Sequence, residues 1–214
     1  MYVICGIDEA GKGSVLGPMV VAGVLASDMA EVAATGVADS KTLSRKRRES
    51  LYEVITGKFV TACTIISAQE IDRLRAEISM NEIVARAHAD VIRQLPCDTA
   101  FVDACDVNAE RYGRTVSAYV GGDCSIVSEH KADVRFPLVS AASVVAKVTR
   151  DRCIDGLHEE FGNFGSGYPS DPYTIRFLET YISEFTRPPS CARSSWETTR
   201  RIMDRLSQPS LFDF

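Results

Sequence analysis

Apolar, β-rich runs at Tyr2 to Ile7 and Met19 to Ala26 flank the segment GKGSVLGP, whose glycines and proline mark a loop. The pair predicts two adjacent strands. Val, Thr and Ile content predicts a third strand over Phe59 to Ser67, and short, buried fourth and fifth strands over Thr99 to Val102 and Ser125 to Val127. Helical periodicity falls between and after them, over Ser44–Thr56, Asn81–Leu95, Pro137–Phe161, Pro172–Phe185 and Ser195–Leu206, with Pro137 and Pro172 suited to first-turn positions. Three early strands followed by strand–helix alternation predict an α/β fold with a mixed sheet. Neither a repeat nor a linker divides the chain, so one domain over residues 1–207 with a short tail, residues 208–214, is expected.

The segment from Pro137 is apolar nearly all round, through Val139, Ala141, Ala142, Val144, Val145, Ala146 and Val148, as a buried helix requires. Ser140, Ser143, Lys147 and Arg150 follow at spacings of three, four and three, which puts them on one face. That stripe either reaches solvent or presents cations to a cleft.

Composition narrows the class. With 45% hydrophobic and 25% charged residues in 214, a globular chain is expected and disordered or coiled-coil architectures are excluded. The longest stretch without a charge, Gly13 to Ser27, is 15 residues interrupted by glycine and proline, short of the roughly 20 a membrane span needs. The N-terminal MYVICGIDEA lacks the basic start of a signal peptide, so a cytoplasmic protein is expected. Seven cysteines without a CxxC pair point to buried free thiols rather than a disulfide framework or a zinc site. His88, His130 and His158 are too far apart for a local metal cluster, which leaves oxygen ligands for any metal. The net charge of −5 disfavours nucleic acid only until charge is summed locally: residues 39–48 carry +4 and residues 187–205 carry +3.

Asp8 and Glu9 follow the apolar YVICGI, and Asp103 closes TAFV, so three acids are expected at strand ends, where α/β sheets place ligands. Asp133, in HKAD ahead of the buried helix, can approach the same edge. Four carboxylates without histidine or thiolate favour hard divalent cations, Mg²⁺ or Mn²⁺. Paired ions of that kind suit phosphodiester hydrolysis. Gly11, Lys12 and Gly13 follow the acidic pair, and so little side chain allows backbone N–H groups close to a phosphate or sugar.

GIDEAGKGSVLGPMVVAG, DSKTLS, VDACDV, EHKAD, FPLVSAASVVAKVTRDR and GSGYPSDP occur in that order, and together they resemble ribonuclease HII of the archaeal type over about residues 3–200. The resemblance implies a ribonuclease H fold: a five-stranded mixed sheet flanked by helices, with a helical C-terminal part. It implies an endoribonuclease that cuts RNA in RNA–DNA hybrids and cuts 5′ of a single ribonucleotide embedded in duplex DNA, leaving 3′-OH and 5′-phosphate. Two ions would serve, one activating the attacking water and the other stabilising the departing 3′ oxygen. Asp8, Glu9, Asp103 and Asp133 take the catalytic, metal-binding positions, with Asp106 a competitor for the third. Gly11, Lys12 and Gly13 take the 2′-OH loop, where the family more often has arginine in the middle; lysine keeps the charge and loses the planar fork. Tyr168 of GSGYPSDP takes the position beside the ribonucleotide. Lys41, Lys147 and Arg150 resemble positions near the phosphates. His130 is expected to be structural rather than a proton carrier, and Trp196 to anchor the last helix.

Alternatives of other kinds are a ribonuclease HIII-like hybrid nuclease, which carries an additional N-terminal domain, and a non-catalytic clamp-bound adaptor, which would dispense with one of the acids. A monomer without membrane association is expected. The final QPSLFDF places Gln208, Leu211 and Phe214 at positions one, four and seven, a pattern that resembles the sliding-clamp peptide of replication and repair enzymes with its eighth position missing.

Overall fold

A computed structural model describes residues 2–37 and 44–207. They fall into two compact units, each gathered from separate stretches of chain: residues 2–12, 20–37, 44–65 and 78–150 in the first, and 13–19, 66–77 and 151–207 in the second. None of the described helices is long and apolar enough to cross a membrane.

The first unit holds a five-stranded mixed sheet of order β3-β2-β1-β4-β5, formed by β1 (Ile4–Ala10), β2 (Met19–Ala26), β3 (Val60–Ile66), β4 (Thr99–Asp103) and β5 (Ser125–Glu129). β1 runs antiparallel to β2 and parallel to β4, and β4 runs parallel to β5. Alternation along β1 sends Ile4, Gly6, Asp8 and Ala10 to one face and Cys5, Ile7 and Glu9 to the other. On the first face, Ile4, Val20, Ala22 and Val24 meet Leu51 and Ile55 of α2 (Arg45–Lys58) and Leu138, Ala141, Ala142 and Val145 of α7 (Pro137–Phe161). α7 sits so close that a Cβ on Gly6 would lie 2.4–2.5 Å from the Leu138 and Val139 backbone, so the glycine sets the spacing between strand and helix. Behind the opposite face, a Cβ on Gly23 would lie 2.6–2.8 Å from the side chains of Ile7, of Val91 in α4 (Met80–Gln94) and of Leu95, which caps that helix.

Four helices were not foreseen: α1 (Met29–Ala33), α3 (Ala68–Arg75), α5 (Ala109–Val120) and α6 (Ala132–Arg135). The fifth strand is also wetter than expected. As an edge strand it has a partner on one side only, and its residues are half-buried or exposed. The expectation of buried thiols holds for Cys5 and Cys191, while the other five cysteines are half-buried; none of the seven is in a disulfide.

The second unit is the helical C-terminal part. Val15, Leu16 and Phe164 pack with Ile154 of α7, with Leu178 and Ile182 of α8 (Pro172–Phe185) and with Ile202 of α9 (Glu197–Ser207). Trp196 lies partly buried against this core with the Arg193 guanidinium 4.7 Å from its ring, the anchoring role expected of it. Asp72 of α3 accepts from Ser194 N at 2.6 Å and Ser195 N at 3.0 Å, which ties α3 to the segment ahead of α9.

Candidate active site

β1 continues to Ala10, so Asp8 and Glu9 lie within the strand rather than beyond it and leave on opposite faces. Asp8, only 6% exposed, turns toward α7, where it hydrogen-bonds the Ser143 side chain, and its Oδ1 accepts from Glu9 N at 2.8 Å. Lys147, one helical turn on, donates to Ser143 Oγ at 2.8 Å, which links the cation to the carboxylate through a shared hydroxyl. Glu9 turns toward α4. There Nε2 of the fully buried His88 donates to Glu9 Oε2 at 3.2 Å, and His88 Nδ1 faces the Tyr112 hydroxyl of α5 at 3.2 Å. Since a carboxylate only accepts, Nε2 is the ring nitrogen that carries the hydrogen in this contact. Asp103 ends β4 and accepts from Ala132 N at 2.9 Å; Asp133 stands one residue later, in the first turn of α6.

The carboxylates feel one another. Burial pushes Asp8 well above the usual carboxylate range, and the charges of Glu9 and Asp103 push it further against the opposing Ser143 hydrogen bond. Asp103 is also raised, first by burial and then by Asp133 and Glu9, with the Ala132 N–H working the other way. Burial and the charge of Glu9 together lift the Cys105 thiol to about 11. Four acids thus share one negative well at the ends of the adjoining strands β1 and β4. They do not close into a cage: among the described residues, no group of three or more His, Cys, Asp and Glu side chains is set to hold a metal ion. The departure from full convergence has a physical origin, since like charges repel and Glu9 and Asp103 are each drawn to a separate N–H donor.

Other expected positions divide. Asp106 is held by Arg111 and by Asn108 N at 3.1 Å; the Arg111 hydrogen bond keeps its carboxyl below the usual range, and it takes part in a turn rather than in the acidic well. Gly11 has φ +84°, a left-handed conformation that glycine adopts without strain. Lys12 Nζ donates to Asn81 Oδ1 and to the Cys105 carbonyl, both at 3.0 Å, while Gly13 is exposed. The polar stripe of α7 does not face solvent: Ser140, Ser143 and Arg150 are 2%, 1% and 4% exposed. Ser140 donates to the Val37 carbonyl at 2.7 Å, so one member of the stripe serves packing. His130 is exposed. Lys41 and the tail residues Gln208, Leu211 and Phe214 lie outside the described residues.

In the second unit, Tyr168 is half-buried in a loop with little freedom. Ser166 N and Oγ donate to Asp171 Oδ2 at 2.7 and 2.8 Å, Asp171 N donates to the Tyr168 carbonyl at 3.0 Å, and Gly167 N donates to Thr174 Oγ1 at 3.0 Å. The Gly167 carbonyl in turn accepts from Val15 N at 2.8 Å and Leu16 N at 3.0 Å.

The description "Ribonuclease HII" belongs to the family that matches residues 5–199. The chain belongs to the ribonuclease HII family. A ribonuclease HII of Methanospirillum hungatei is 55% identical over 99% of this chain and 100% of that protein. The ribonuclease H2 of Pyrococcus horikoshii superposes with a TM-score of 0.91 at 35% identity, over 97% of this chain and 100% of that one. The Archaeoglobus fulgidus protein, solved as a PCNA:RNase HII complex, superposes with a TM-score of 0.87 at 44% identity, over 99% of this chain and 100% of that one. This chain is accordingly a type 2 ribonuclease H, a hydrolase acting as an endoribonuclease, on the ribonuclease H fold that its motifs implied.

The sequence excluded His88 from a metal cluster but did not place it beside Glu9. Its signal is a histidine inside the apolar stripe of α4, where a ring with two polar nitrogens is costly to bury without partners.

Proposed function

We propose that this enzyme cuts the RNA strand of RNA–DNA hybrids and cuts 5′ of single ribonucleotides in duplex DNA, leaving 3′-OH and 5′-phosphate ends. We assign Asp8, Glu9, Asp103 and Asp133 to a pair of divalent ions, Mg²⁺ or Mn²⁺. The observation that carries this reading is the placement of Asp8 and Glu9 beside Asp103 at the adjoining ends of β1 and β4, where burial and the repulsion of neighbouring carboxylates raise Asp8 and Asp103. A hard dication relieves that repulsion, and an all-oxygen donor set suits it. Bound there, such ions supply charge neutralisation at the phosphate and activation of water.

The chain's own groups do the rest. His88 and Tyr112 orient Glu9, and Ser143 orients Asp8 while holding Lys147 near a site that must accept phosphate. Backbone N–H groups of Gly11, Lys12 and Gly13, with Tyr168, read the ribose 2′-OH, the group by which RNA differs from DNA. Lys41 and Arg150 add positive potential along the strand. The tail residues Gln208, Leu211 and Phe214 bind a sliding clamp, in keeping with the PCNA complex of the Archaeoglobus protein.

The test is cleavage-site mapping on duplexes containing one ribose, four riboses or an all-ribose strand, in Mg²⁺ and in Mn²⁺. A cut 5′ of the lone ribonucleotide is expected. Cleavage only within runs of four or more riboses would remove the single-ribonucleotide activity from this chain.

A further inference from the structure

Three cysteines that are far apart in sequence meet at the end of the first unit's sheet remote from the acidic well. Cys5 Sγ of β1 lies 3.1 Å from Cys97 Sγ, in the turn before β4, and Cys97 Sγ lies 3.6 Å from Cys124 Sγ, just ahead of β5. A disulfide needs about 2.05 Å between sulfurs, so the nearer pair is roughly 1 Å from bonding distance. Cys97 and Cys124 line an open cleft of about 490 Å³ with Arg93, Pro96, Asp98 and Asp123, in the size range of small-molecule sites, whereas Cys5 is fully buried behind them. Hydrogen bonds from the Cys5 and Cys124 thiols bring Cys97 down to about 7, while burial and the charge of Cys97 hold Cys124 up at about 12. A half-exposed thiolate supported by two S–H donors is the arrangement that makes a cysteine reactive.

We propose that Cys97 is a redox-modification site that takes a low-molecular-weight disulfide, R–S–S–R, from this cleft, and that Cys5 resolves the adduct. The Cys97 thiolate attacks one sulfur of the reagent, forming Cys97–S–S–R and releasing RS⁻. Loss of the Cys97 thiolate removes the hydrogen-bond and charge contributions that held the Cys5 proton. Cys5 then gives that proton to the released thiolate and attacks the Cys97 sulfur; the mixed disulfide breaks and a second RS⁻ leaves, to be protonated by solvent. Two protein thiols are oxidised, one reagent disulfide is reduced to two thiols, and β1 becomes bonded to the turn that leads into β4.

The experiment incubates the reduced full-length protein with oxidised glutathione at pH 7 and follows intact mass, then disulfide-linked peptides. Wild type is expected to lose two hydrogens, with the bond mapped to Cys5–Cys97, and to melt at a higher temperature once oxidised. Cys97→Ser should form no such bond, Cys124→Ser should behave as wild type, and Cys5→Ala should stop at the glutathione adduct. Because Cys97 is half-exposed, its variant carries the test even if Cys5→Ala fails to fold. In the reduced protein, iodoacetamide should label Cys97 at least ~10-fold faster than Cys105 or Cys191, whose thiols burial raises. An adduct that persists on wild-type Cys97, a bond mapped only to Cys97–Cys124, or no thiol loss would each overturn the proposal.

Discussion

His88 Nε2 donates to Glu9 Oε2 across 3.2 Å from a ring that is fully buried. The tether crosses from α4 to β1, and Tyr112 secures it from α5. A carboxylate held in one rotamer binds a cation better than one that must first be ordered, and loss of such outer partners typically costs 10–100-fold in metal affinity or activity. His88→Leu is therefore expected to weaken Mn²⁺ binding by about that factor in calorimetry, with circular dichroism unchanged. His88→Gln, which can still donate, should recover part of it. Equal Mn²⁺ affinity in wild type and His88→Leu would show that the contact serves packing alone.

Asp8 makes a second prediction, with opposite signs for stability and activity. Its folded pKa stands above the unfolded value of 3.8 because of burial and the neighbouring charges. The folded state therefore holds the proton more tightly, and the stability this gives is complete below 3.8 and lost as pH rises through the folded pKa. At neutral pH the ionised group is a liability to the fold. Asp8→Asn should thus raise Tm at pH 7–8, by about 2–4 °C for each kcal/mol of repulsion relieved, and the gain should vanish near pH 3.5. Turnover should fall by several orders of magnitude, as should that of Asp103→Asn. Mn²⁺ should raise the Tm of wild type, by ~2.7 kcal/mol of stability at 100 times its dissociation constant, and should barely move that of Asp8→Asn. A variant retaining a tenth of wild-type turnover at saturating metal would remove Asp8 from the ligand set.

Most of the sheet was legible because buried strands announce themselves: the predicted Met19 to Ala26 coincides with β2, and Pro137–Phe161 with α7. Asp8, Glu9 and Asp103 stood out because a charge that closes an apolar run is costly to bury unless a ligand at the sheet's end compensates it, and Asp133 because it directly precedes the buried helix. What was missed lay in weaker or longer-range signals. α3 begins at a capping box, Ser67 to Glu70, with Ser67 Oγ accepting from Glu70 N at 3.1 Å, but only eight residues follow and periodicity is poor over so short a span. α5 was hidden by Gly113 and its β-branched residues, although Tyr112 and Val116 form its buried edge. The Cys5–Cys97–Cys124 cluster and the His88–Glu9 pair join residues 27 to 92 positions apart, and only the fold creates such contacts.

Lys12 gives a third prediction. Its ammonium bridges Asn81 and the Cys105 carbonyl, so it fastens the glycine loop to the start of α4 and to the segment after β4. Lys12→Met leaves a carbonyl and an amide without this charged donor and should cost ~1.5–3 kcal/mol in chemical denaturation. The Michaelis constant for a single-ribonucleotide duplex should rise along with it. A variant as stable as wild type but impaired in binding would make Lys12 a substrate contact rather than a strut.

The tail supports a fourth. Deleting residues 208–214 should abolish binding to the cognate sliding clamp in a pull-down or calorimetric titration. Cleavage of free duplex and Tm should stay nearly unchanged, because aliphatic and aromatic anchors of this kind act by entering a partner's pocket. A large fall in Tm would instead make the tail part of the core.

Tyr168 makes the last prediction, which concerns substrate choice. The backbone on both sides of it is fixed by Ser166, Asp171 and Thr174, so truncating its ring should leave the loop in place and remove only the aromatic surface and the hydroxyl. At a lone ribonucleotide there is one register in which the 2′-OH can be read, and every lost contact falls on it. A continuous hybrid offers many equivalent registers, so the same loss is diluted. Tyr168→Ala should therefore lose on the order of 10-fold or more in kcat/KM on the single-ribonucleotide duplex, equivalent to ~1.4 kcal/mol of transition-state stabilisation, and clearly less on the continuous hybrid. Tyr168→Phe separates the ring from the hydroxyl: activity near wild type would assign the effect to stacking on the sugar, and activity near that of the alanine variant would assign it to the 2′-OH hydrogen bond. Equal losses on both substrates in Tyr168→Ala would take the residue out of junction reading.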